Sequence, residues 1–206
     1  MELVRVGEKT YYIKNATNIG VYKVTDNDVY IIDSGNDKDA GRKILKIITE
    51  QGWNIKGIIN THSNADHIGG NQYLQAQTGC KIYAPGIECD YTNHPILESS
   101  FLYGGNPPKD LRHKFLMAKE SNAENLTKES LPEGMEIISL PGHSFAMVGF
   151  RTKDDVVYLA DCLSSRETLE KYKIGFIYDV GTYLQTLELV KTMKAKMYVP
   201  SHAEQT

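Results

Sequence analysis

Apolar and polar positions divide the first half of the chain into short strands and amphipathic helices. Apolar runs bounded by turn residues predict strands, whereas apolar positions three or four residues apart predict helices. The pattern predicts strands at residues 11–13, 19–22, 29–32, 55–60 and 81–84, and helices at about 39–51 and 66–79. The helix at 39–51 carries Ala40, Ile44, Ile47 and Ile48 on one face, and Gly52 follows it, as is typical of a helix C-terminus.

The second half returns to this pattern after a long irregular stretch. Strands are predicted at residues 136–140, 148–151, 156–160 and 197–199, and a helix at about 180–194. A hairpin joins the strands at 148–151 and 156–160. Strands that alternate with helices favour the α/β class, with helices covering mixed sheets.

Composition narrows the class of protein. Of 206 residues, 41% are apolar and 24% are charged, which is typical of one globular domain. The net charge of −3 gives no basic field, so nucleic acid is not expected as a partner. No apolar run approaches the roughly 20 residues that cross a bilayer, so no membrane partner is expected either.

The cysteines and the N-terminus predict a cytoplasmic location. Cys80, Cys89 and Cys162 are odd in number and widely spaced, so they suggest no disulfide framework. The chain begins Met1-Glu2, with no positively charged start and no apolar run behind it, which is unlike a secretory signal.

Four of the six histidines lie at the ends of predicted strands or in the segments that follow them. They are His62, His67, His143 and His202; Asp66 precedes His67, and Asp161 follows the strand predicted at 156–160. A single histidine in such a place is more often a cap or a core residue. Four imidazoles with two carboxylates are instead the ligand types that zinc, iron or manganese bind, and they suffice for one or two ions.

Five short motifs resemble those of the metallo-β-lactamase superfamily, in the same order along the chain. The segment Thr61-His62-Ser63-Asn64-Ala65-Asp66-His67 is similar to the family pattern His-x-His-x-Asp-His. The other four are Asp33-Ser34-Gly35, Pro141-Gly142-His143-Ser144, Ala160-Asp161-Cys162-Leu163 and Pro200-Ser201-His202. The resemblance covers about residues 18–203. The glycines and asparagine at 69–71 look closer to the glyoxalase II-like branch.

The resemblance implies an αββα sandwich with metals at one edge and assigns the ligands. His62, His143 and the bridging Asp161 would form one site. Asp66, His67, His202 and the same Asp161 would form the other. Asp66 would also be catalytic, by holding a metal-bound hydroxide and passing a proton to the leaving group. Asp33 would accept a hydrogen bond that ties down the His62 loop, or would simply cap a turn.

The sequence departs from the family pattern at Asn64, where the second histidine is expected. An amide oxygen is a weak ligand, so the first site loses an imidazole while the second keeps its full set. Asn64 is then a weak ligand or a neighbour of the ligands, or it points away from the metals. The sequence leaves open whether the protein binds one metal or two metals at unequal sites. The chain also ends four residues after His202, as a minimal form or a fragment of a longer protein would.

Residues 86–132 fall where the family tolerates insertions within the single domain 1–206. The apolar and aromatic side chains there would form a lid over the cleft or anchor the insertion to its own domain. They are Tyr91, His94, Phe101, Tyr103, Phe115 and Met117. His94 and His113 are not expected to be ligands. Cys162 is expected to be a small buried apolar residue rather than a ligand, because neighbouring strand residues face opposite ways.

The function that we predict is metal-dependent hydrolysis of a small-molecule ester, thioester or lactone. A metal-bound hydroxide would be the nucleophile, with zinc the expected cofactor and iron or manganese as alternatives. One alternative is a degenerate protein that binds or senses a ligand through a single metal without turnover. Another is a phosphodiesterase on the same fold. The sequence leaves the oligomeric state open.

Overall fold

A computed structural model describes residues 1–173 and 175–203, and its largest feature is a mixed sheet of seven strands. These are β1 (Glu2–Arg5), β2 (Thr10–Lys14), β3 (Ile19–Lys23), β4 (Asp28–Ile32), β5 (Asn54–Ile59), β6 (Lys81–Ala84) and β7 (Ala123–Asn125), and they neighbour one another in chain order. Pairing is antiparallel from β1 to β4 and parallel from β4 to β7.

A second sheet of four strands faces the first. It contains β8 (Met135–Ser139), β9 (Val148–Thr152), β10 (Val156–Ser164) and β11 (Met197–His202), in the order β11-β10-β9-β8. The last two are parallel neighbours, whereas β8, β9 and β10 pair antiparallel. Both sheets therefore present the ends of parallel strands, where loops can gather functional side chains.

The α-helices of the described residues lie around the two sheets. They are α1 (Lys38–Glu50), α2 (Ala65–Ile68), α3 (Asn71–Thr78), α4 (Ile87–Asn93), α5 (Ile96–Tyr103), α6 (Arg166–Tyr172) and α7 (Val180–Thr192). Buried side chains of α1 and α3 pack on the large sheet, and apolar side chains of α7 pack on the small sheet. The predicted αββα sandwich is confirmed. Among the described residues, no helix has the length and apolar character needed to cross a membrane.

The main core lies between the sheets. Tyr12, Ile32 and Ile59 of the large sheet meet Phe150 and Tyr158 of the small sheet, all with at most 3% of their surface exposed. Burying a large apolar side chain stabilises the fold by roughly 1.5–3 kcal/mol. The hydroxyl of Tyr158 donates a hydrogen bond of 2.6 Å to the Tyr11 carbonyl, which fixes one sheet against the other.

The prediction of a single helix at 66–79 is wrong, because this segment forms two helices, α2 and α3. Gly69 and Gly70 lie between them, against the chain that leaves β4. A Cβ atom on Gly69 would lie 2.2 Å from the backbone carbon of Asn36, and one on Gly70 would lie 2.4 Å from the carbonyl oxygen of Ser34. The break leaves α2 as a single turn that carries Asp66 and His67.

The region predicted as an insertion, residues 86–132, holds regular structure that the sequence pattern did not predict. It forms α4 and α5, and it supplies β7, which pairs in parallel with β6 at the edge of the large sheet. β1 and α6 were also not predicted. The assignment of residues 1–206 to one domain stays a prediction, and residues 204–206 lie outside the described residues.

Candidate metal centre

The predicted ligands come from both sheets and meet at one edge of the sandwich. His62 follows β5, and Asp66 and His67 belong to α2. From the small sheet, His143 lies in the loop after β8, Asp161 lies within β10, and His202 ends β11. The six residues that the sequence singled out are thus brought together by five separate segments.

A bulge in β10 turns Asp161 toward this edge. The register of β10 with β11 shifts on both sides of Ala160, whose φ of +51° is in the left-handed region that residues with a Cβ rarely adopt. Such bulges redirect the side chains that follow them. Asp161 therefore points into the centre, while the fully buried Cys162 packs with Leu140 and Leu159 on the other face. Burial raises the pKa of the Cys162 thiol to about 11, so it stays protonated.

The six residues form two groups of potential ligands. His62, His143 and Asp161 make the first group, and Asp66, His67 and His202 make the second; the ligand atoms of each lie within 4.8 Å of one another. Asp161 joins the groups, since its Oδ2 is 3.5 Å from His143 Nε2 and 3.2 Å from His202 Nε2. Its Oδ1 is 3.1 Å from His67 Nε2. One carboxylate thus faces both groups.

Unpartnered buried atoms show that these residues fit a cation. The Nε2 atoms of His62 and His67 and the Oδ1 atom of Asp161 are buried and form no hydrogen bond of acceptable geometry. A buried polar atom without a partner costs about 1–3 kcal/mol. Lone pairs of nitrogen and oxygen that converge in this way suit a divalent cation such as zinc.

In each of the four imidazoles, the Nδ1 nitrogen lies within hydrogen-bonding distance of an oxygen atom. The Nδ1 of His67 is 2.8 Å from Asp33 Oδ2, and the Nδ1 of His62 is 2.9 Å from Thr61 Oγ1. The Nδ1 atoms of His143 and His202 lie 3.1 and 3.0 Å from backbone carbonyl oxygens. A proton on Nδ1 leaves the lone pair on Nε2, which is the nitrogen that faces the centre.

Asp33 supports two of these imidazoles at once. It is buried at a φ of +64°, directly after β4. Its carboxylate accepts hydrogen bonds from the backbone N–H and the hydroxyl of Thr61, both 2.8 Å long, besides its contact with His67. Asp33 thus fixes the loop that carries His62 as well as the ring of His67.

Asn64 points into the centre. Its amide nitrogen lies 3.3 Å from the Nε2 of His143, beside the first group. The amide therefore occupies the place where the family pattern has an imidazole, and its N–H would compete with a cation for the lone pair of His143.

Charge differs between the two groups. Burial lowers the pKa of His62 well below its ordinary value, and burial also lowers that of His143, so both rings are neutral ligands. In the second group burial acts against the charged form of His202, but hydrogen bonds to Asp161 and Asp66 raise its pKa to about 10. The carboxylates likewise outweigh burial at His67 and raise its pKa. The second group is therefore the more negative of the two, and a bound cation would take the place of the protons that its carboxylates keep on His67 and His202.

Glu88 of α4 is a site residue that sequence reasoning missed. Its buried carboxylate accepts hydrogen bonds from the backbone N–H and hydroxyl of Ser63, at 3.1 and 2.5 Å. It also accepts from the Ser144 hydroxyl at 2.8 Å and the Ala146 N–H at 3.0 Å. Because Ser63 and Ser144 adjoin His62 and His143, Glu88 holds both ligand loops of the first group together. Nothing in the local sequence pattern indicates this role.

The remaining candidates separate into residues near the centre and residues away from it. Tyr91, Phe101 and Phe115 line a cavity beside Asp66, but Tyr103 and Met117 do not. His94 lines a different surface cavity, with Gln72 and Glu120. In the described part of the chain, neither His94 nor His113 belongs to a group of potential metal ligands.

Comparison with known proteins identifies the family. The Metallo-beta-lactamase superfamily matches residues 13–202. A hydroxyacylglutathione hydrolase of Cereibacter sphaeroides is 26% identical over 138 residues, which are 64% of this chain and 45% of that protein. One of Methylococcus capsulatus is 34% identical over 137 residues, which are 63% of this chain and 44% of that protein. This chain thus spans less than half the length of these curated relatives.

Other relatives match over greater lengths. A probable metallo-hydrolase, YybB of Bacillus subtilis, is 24% identical over 98% of this chain and 83% of its own length. The crystal structure of the B3 metallo-beta-lactamase BLEG-1 has a TM-score of 0.70 at 19% identity, covering 100% of this chain and 92% of that one. That of BJP-1 from Bradyrhizobium japonicum has a TM-score of 0.71 at 21% identity, covering 98% and 78%. The structures share the fold, and the family match covers most of the sequence. The chain belongs to the metallo-beta-lactamase superfamily.

Proposed function

We propose that this protein is a metal-dependent hydrolase of a small-molecule ester, thioester or lactone. The observation that carries the proposal is the pair of potential ligand groups joined by Asp161, with three buried atoms that have no hydrogen-bond partner and face the same point. Two relatives named hydroxyacylglutathione hydrolase, which are thioester hydrolases by name, support the choice of electrophile.

The residues divide between two metal positions. His62, His143 and Asp161 would hold one ion, and Asp66, His67, His202 and the same Asp161 would hold the other. We propose that the metal is zinc, because imidazole and carboxylate donors suit it. Elemental analysis distinguishes zinc from the alternatives, iron and manganese. A bound divalent ion supplies Lewis acidity, which lowers the pKa of water toward about 7 and polarises a carbonyl group.

Asp66 is the residue that we assign to proton transfer. Burial would raise the pKa of Asp66, but the charge of His67 and the hydrogen bond from His202 outweigh it and lower the pKa, so the carboxylate is ionised. As a weak base it would accept a proton only from water that a bound metal has made more acidic. Its Oδ2 accepts a hydrogen bond of 3.0 Å from Thr17 Oγ1 and lies 3.2 Å from His202 Nε2. These contacts hold the carboxylate at the edge of the substrate cavity, where it can return the proton to a leaving group.

The test combines metal analysis with a hydrolysis panel. Purified protein is analysed for zinc, iron and manganese, and is assayed against thioesters, esters, lactones, β-lactams and phosphodiesters. We expect bound metal and turnover of at least one ester, thioester or lactone that chelation abolishes. Turnover of phosphodiesters alone would assign the protein to the phosphodiesterase alternative instead.

A second candidate function is a single-metal protein without turnover, and the orientation of Asn64 favours it specifically. The amide beside His143 replaces an imidazole ligand of the first position. We expect Asn64→His to raise the metal content per chain if the first position is weakened by this residue. One tight metal in both proteins, with no turnover across the panel, would support the second candidate.

We also propose a cytoplasmic location. The three cysteines are free thiols, of which Cys80 and Cys162 are buried, as is compatible with a reducing compartment.

A further inference from the structure

A cavity of about 220 Å³ opens beside Asp66, and its walls are mostly aromatic. The rings that line it are Tyr91, Phe101, Phe115, Phe145, Phe176 and Tyr178. Phe145 is central, since its ring centroid is 4.1 Å from that of Tyr178 and 5.1 Å from that of Phe101. Such walls suit a flat apolar group of roughly one aromatic ring.

The charged residues of this cavity are all acidic. They are Asp66, Glu88 and Glu98, and among the described residues no lysine or arginine lines the cavity. Another cavity at the centre, lined by His143, Asp161 and His202, contains Lys173. A further cavity beside His202 contains Lys14. An anionic part of a substrate would therefore meet an opposite charge in those cavities and not, among the described residues, in the aromatic one.

Glu98 of α5 is the acid that remains available to a ligand. Asp66 belongs to the second ligand group, and Glu88 already accepts four hydrogen bonds. The Oε2 atom of Glu98 is buried and has no hydrogen-bond partner. The terminal side-chain torsion angle of a glutamate has a broad distribution, so either carboxyl oxygen can turn toward a bound group.

The protonation of Glu98 differs from that of an ordinary glutamate. Burial and the charges of Asp66 and Glu88 raise the pKa of Glu98 to about 8. Protonated or ionised, the carboxyl group keeps an oxygen that can accept a hydrogen bond.

We propose that the aromatic cavity binds an aromatic substituent of the substrate that bears an amino group, with Glu98 accepting the hydrogen bond of that amine. The proposal rests on the proposed hydrolase function and names the substrate class for it. Aromatic rings attract a cation through their faces, and an acidic wall without basic residues favours an ammonium group over a carboxylate. The substrate class is thus an ester or thioester with an amine-bearing aromatic substituent rather than an anionic one.

A binding experiment tests this assignment without relying on turnover. Three ligands of nearly equal size are titrated into the metal-loaded protein by calorimetry at pH 8.5, above the pKa of about 8 of Glu98, so that its carboxyl group is ionised. They are 4-methylbenzylamine, 4-methylbenzyl alcohol and 4-methylbenzoate. We expect the amine to bind at least about tenfold more tightly than the alcohol, as a charge-assisted hydrogen bond would give. In Glu98→Gln that preference should fall to about twofold or less, because the amide keeps the size but lacks the negative charge.

The matched control is Glu136→Gln, which changes an exposed glutamate on β8 that lines none of the cavities described above. This variant should bind the amine more tightly than the alcohol by the same factor as the unsubstituted protein. Equal binding of amine and alcohol in that protein would overturn the inference, as would a Glu98→Gln variant that weakens both ligands equally.

A hydrolysis arm separates the two proposals. The methyl thioesters of 4-(aminomethyl)phenylacetic, 4-methylphenylacetic and 4-carboxyphenylacetic acid differ mainly in charge, and we expect kcat/KM to fall in that order. Hydrolysis without an amine preference would overturn the inference and leave the proposed function intact. An amine preference in binding, with no hydrolysis of any ester, thioester or lactone, would support the cavity assignment and contradict the proposed function.

Discussion

At the scale of single residues, the centre is defined by the atoms that orient the ligands. Every imidazole in it contacts an oxygen through Nδ1, so that Nε2 faces the other ligands. Asp33 controls two of the four, His67 directly and His62 through Thr61. Partners of this kind typically change metal affinity by 10–100-fold when they are replaced.

The substitution Asp33→Ala should therefore weaken metal binding. We expect the dissociation constant for zinc to rise by about 10–100-fold, since both rings lose their fixed orientation. Competition with a chromophoric chelator measures the constant. Asp26→Ala, at an exposed turn, is the control and should bind zinc as the unsubstituted protein does. Equal affinity in the two variants would show that Asp33 has no such role.

Glu98 makes stability depend on pH in a direction opposite to that of an ordinary carboxylate. Its pKa rises from 4.5 to about 8 on folding, so the folded state holds a proton that the unfolded chain releases. The free energy of unfolding should consequently be highest below pH 4.5 for this group and should fall as the pH rises to about 8.

The isosteric variant Glu98→Gln removes this titration. We expect its melting temperature, relative to the unsubstituted protein, to increase between pH 5 and pH 8.5, because only the unsubstituted protein carries the cost of a buried charge at high pH. Glu136→Gln should show no such trend. A constant difference in melting temperature between Glu98→Gln and the unsubstituted protein across this range would contradict the assignment.

At the scale of elements, the centre depends on where helices and strands are interrupted. The turn α2 exists as a separate element because Gly69 and Gly70 pass against the backbone of residues 34–37. In β10 the bulge at Ala160 sets the direction of Asp161. Periodicity predicts one continuous helix at 66–79 and a strand that ends at residue 160. It does not reveal the break at Gly69 and Gly70, because the backbone that these glycines contact is distant in sequence.

Replacing Gly69 by alanine tests the close approach behind α2. A Cβ atom there would be 2.2 Å from the backbone of Asn36, whereas one at Gly105 would have no neighbour within 4 Å. We expect Gly69→Ala to lower the free energy of unfolding by about 1–3 kcal/mol or more in urea denaturation, as overpacking does. Gly105→Ala is the matched control. Equal stabilities of the two variants would show that the contact can relax without cost.

The sequence singled out the residues that the structure brings together at the centre, and their role as metal ligands stays a prediction, but it did not single out the two acids beside them. His62, Asp66 and His67 lie within one short motif, and Asp33, His143, Asp161 and His202 each adjoin recognisable turns or strand ends. Glu88 and Glu98 could not be recognised, because their partners and neighbours are distant in sequence, such as Ser144, 56 residues from Glu88. The one available signal is that Glu98 is an acid among the apolar residues of α5.

At the scale of the whole molecule, the centre connects the two halves of the sandwich. His62, Asp66 and His67 come from the side of the large sheet, and His143, Asp161 and His202 come from the side of the small one. A metal bound by both sets stabilises the folded state by mass action, since the unfolded chain does not hold these ligands together. Asp161 is central to this arrangement because it faces both groups.

The metal content of Asp161→Ala, compared with that of the unsubstituted protein, tests the central claim most directly. Both proteins are loaded with zinc, freed of excess ion and analysed by elemental analysis, while circular dichroism and gel filtration verify that the variant is folded. We expect the unsubstituted protein to retain zinc and the folded variant to lose it from both positions. A folded Asp161→Ala protein that retains the full metal content would contradict the account.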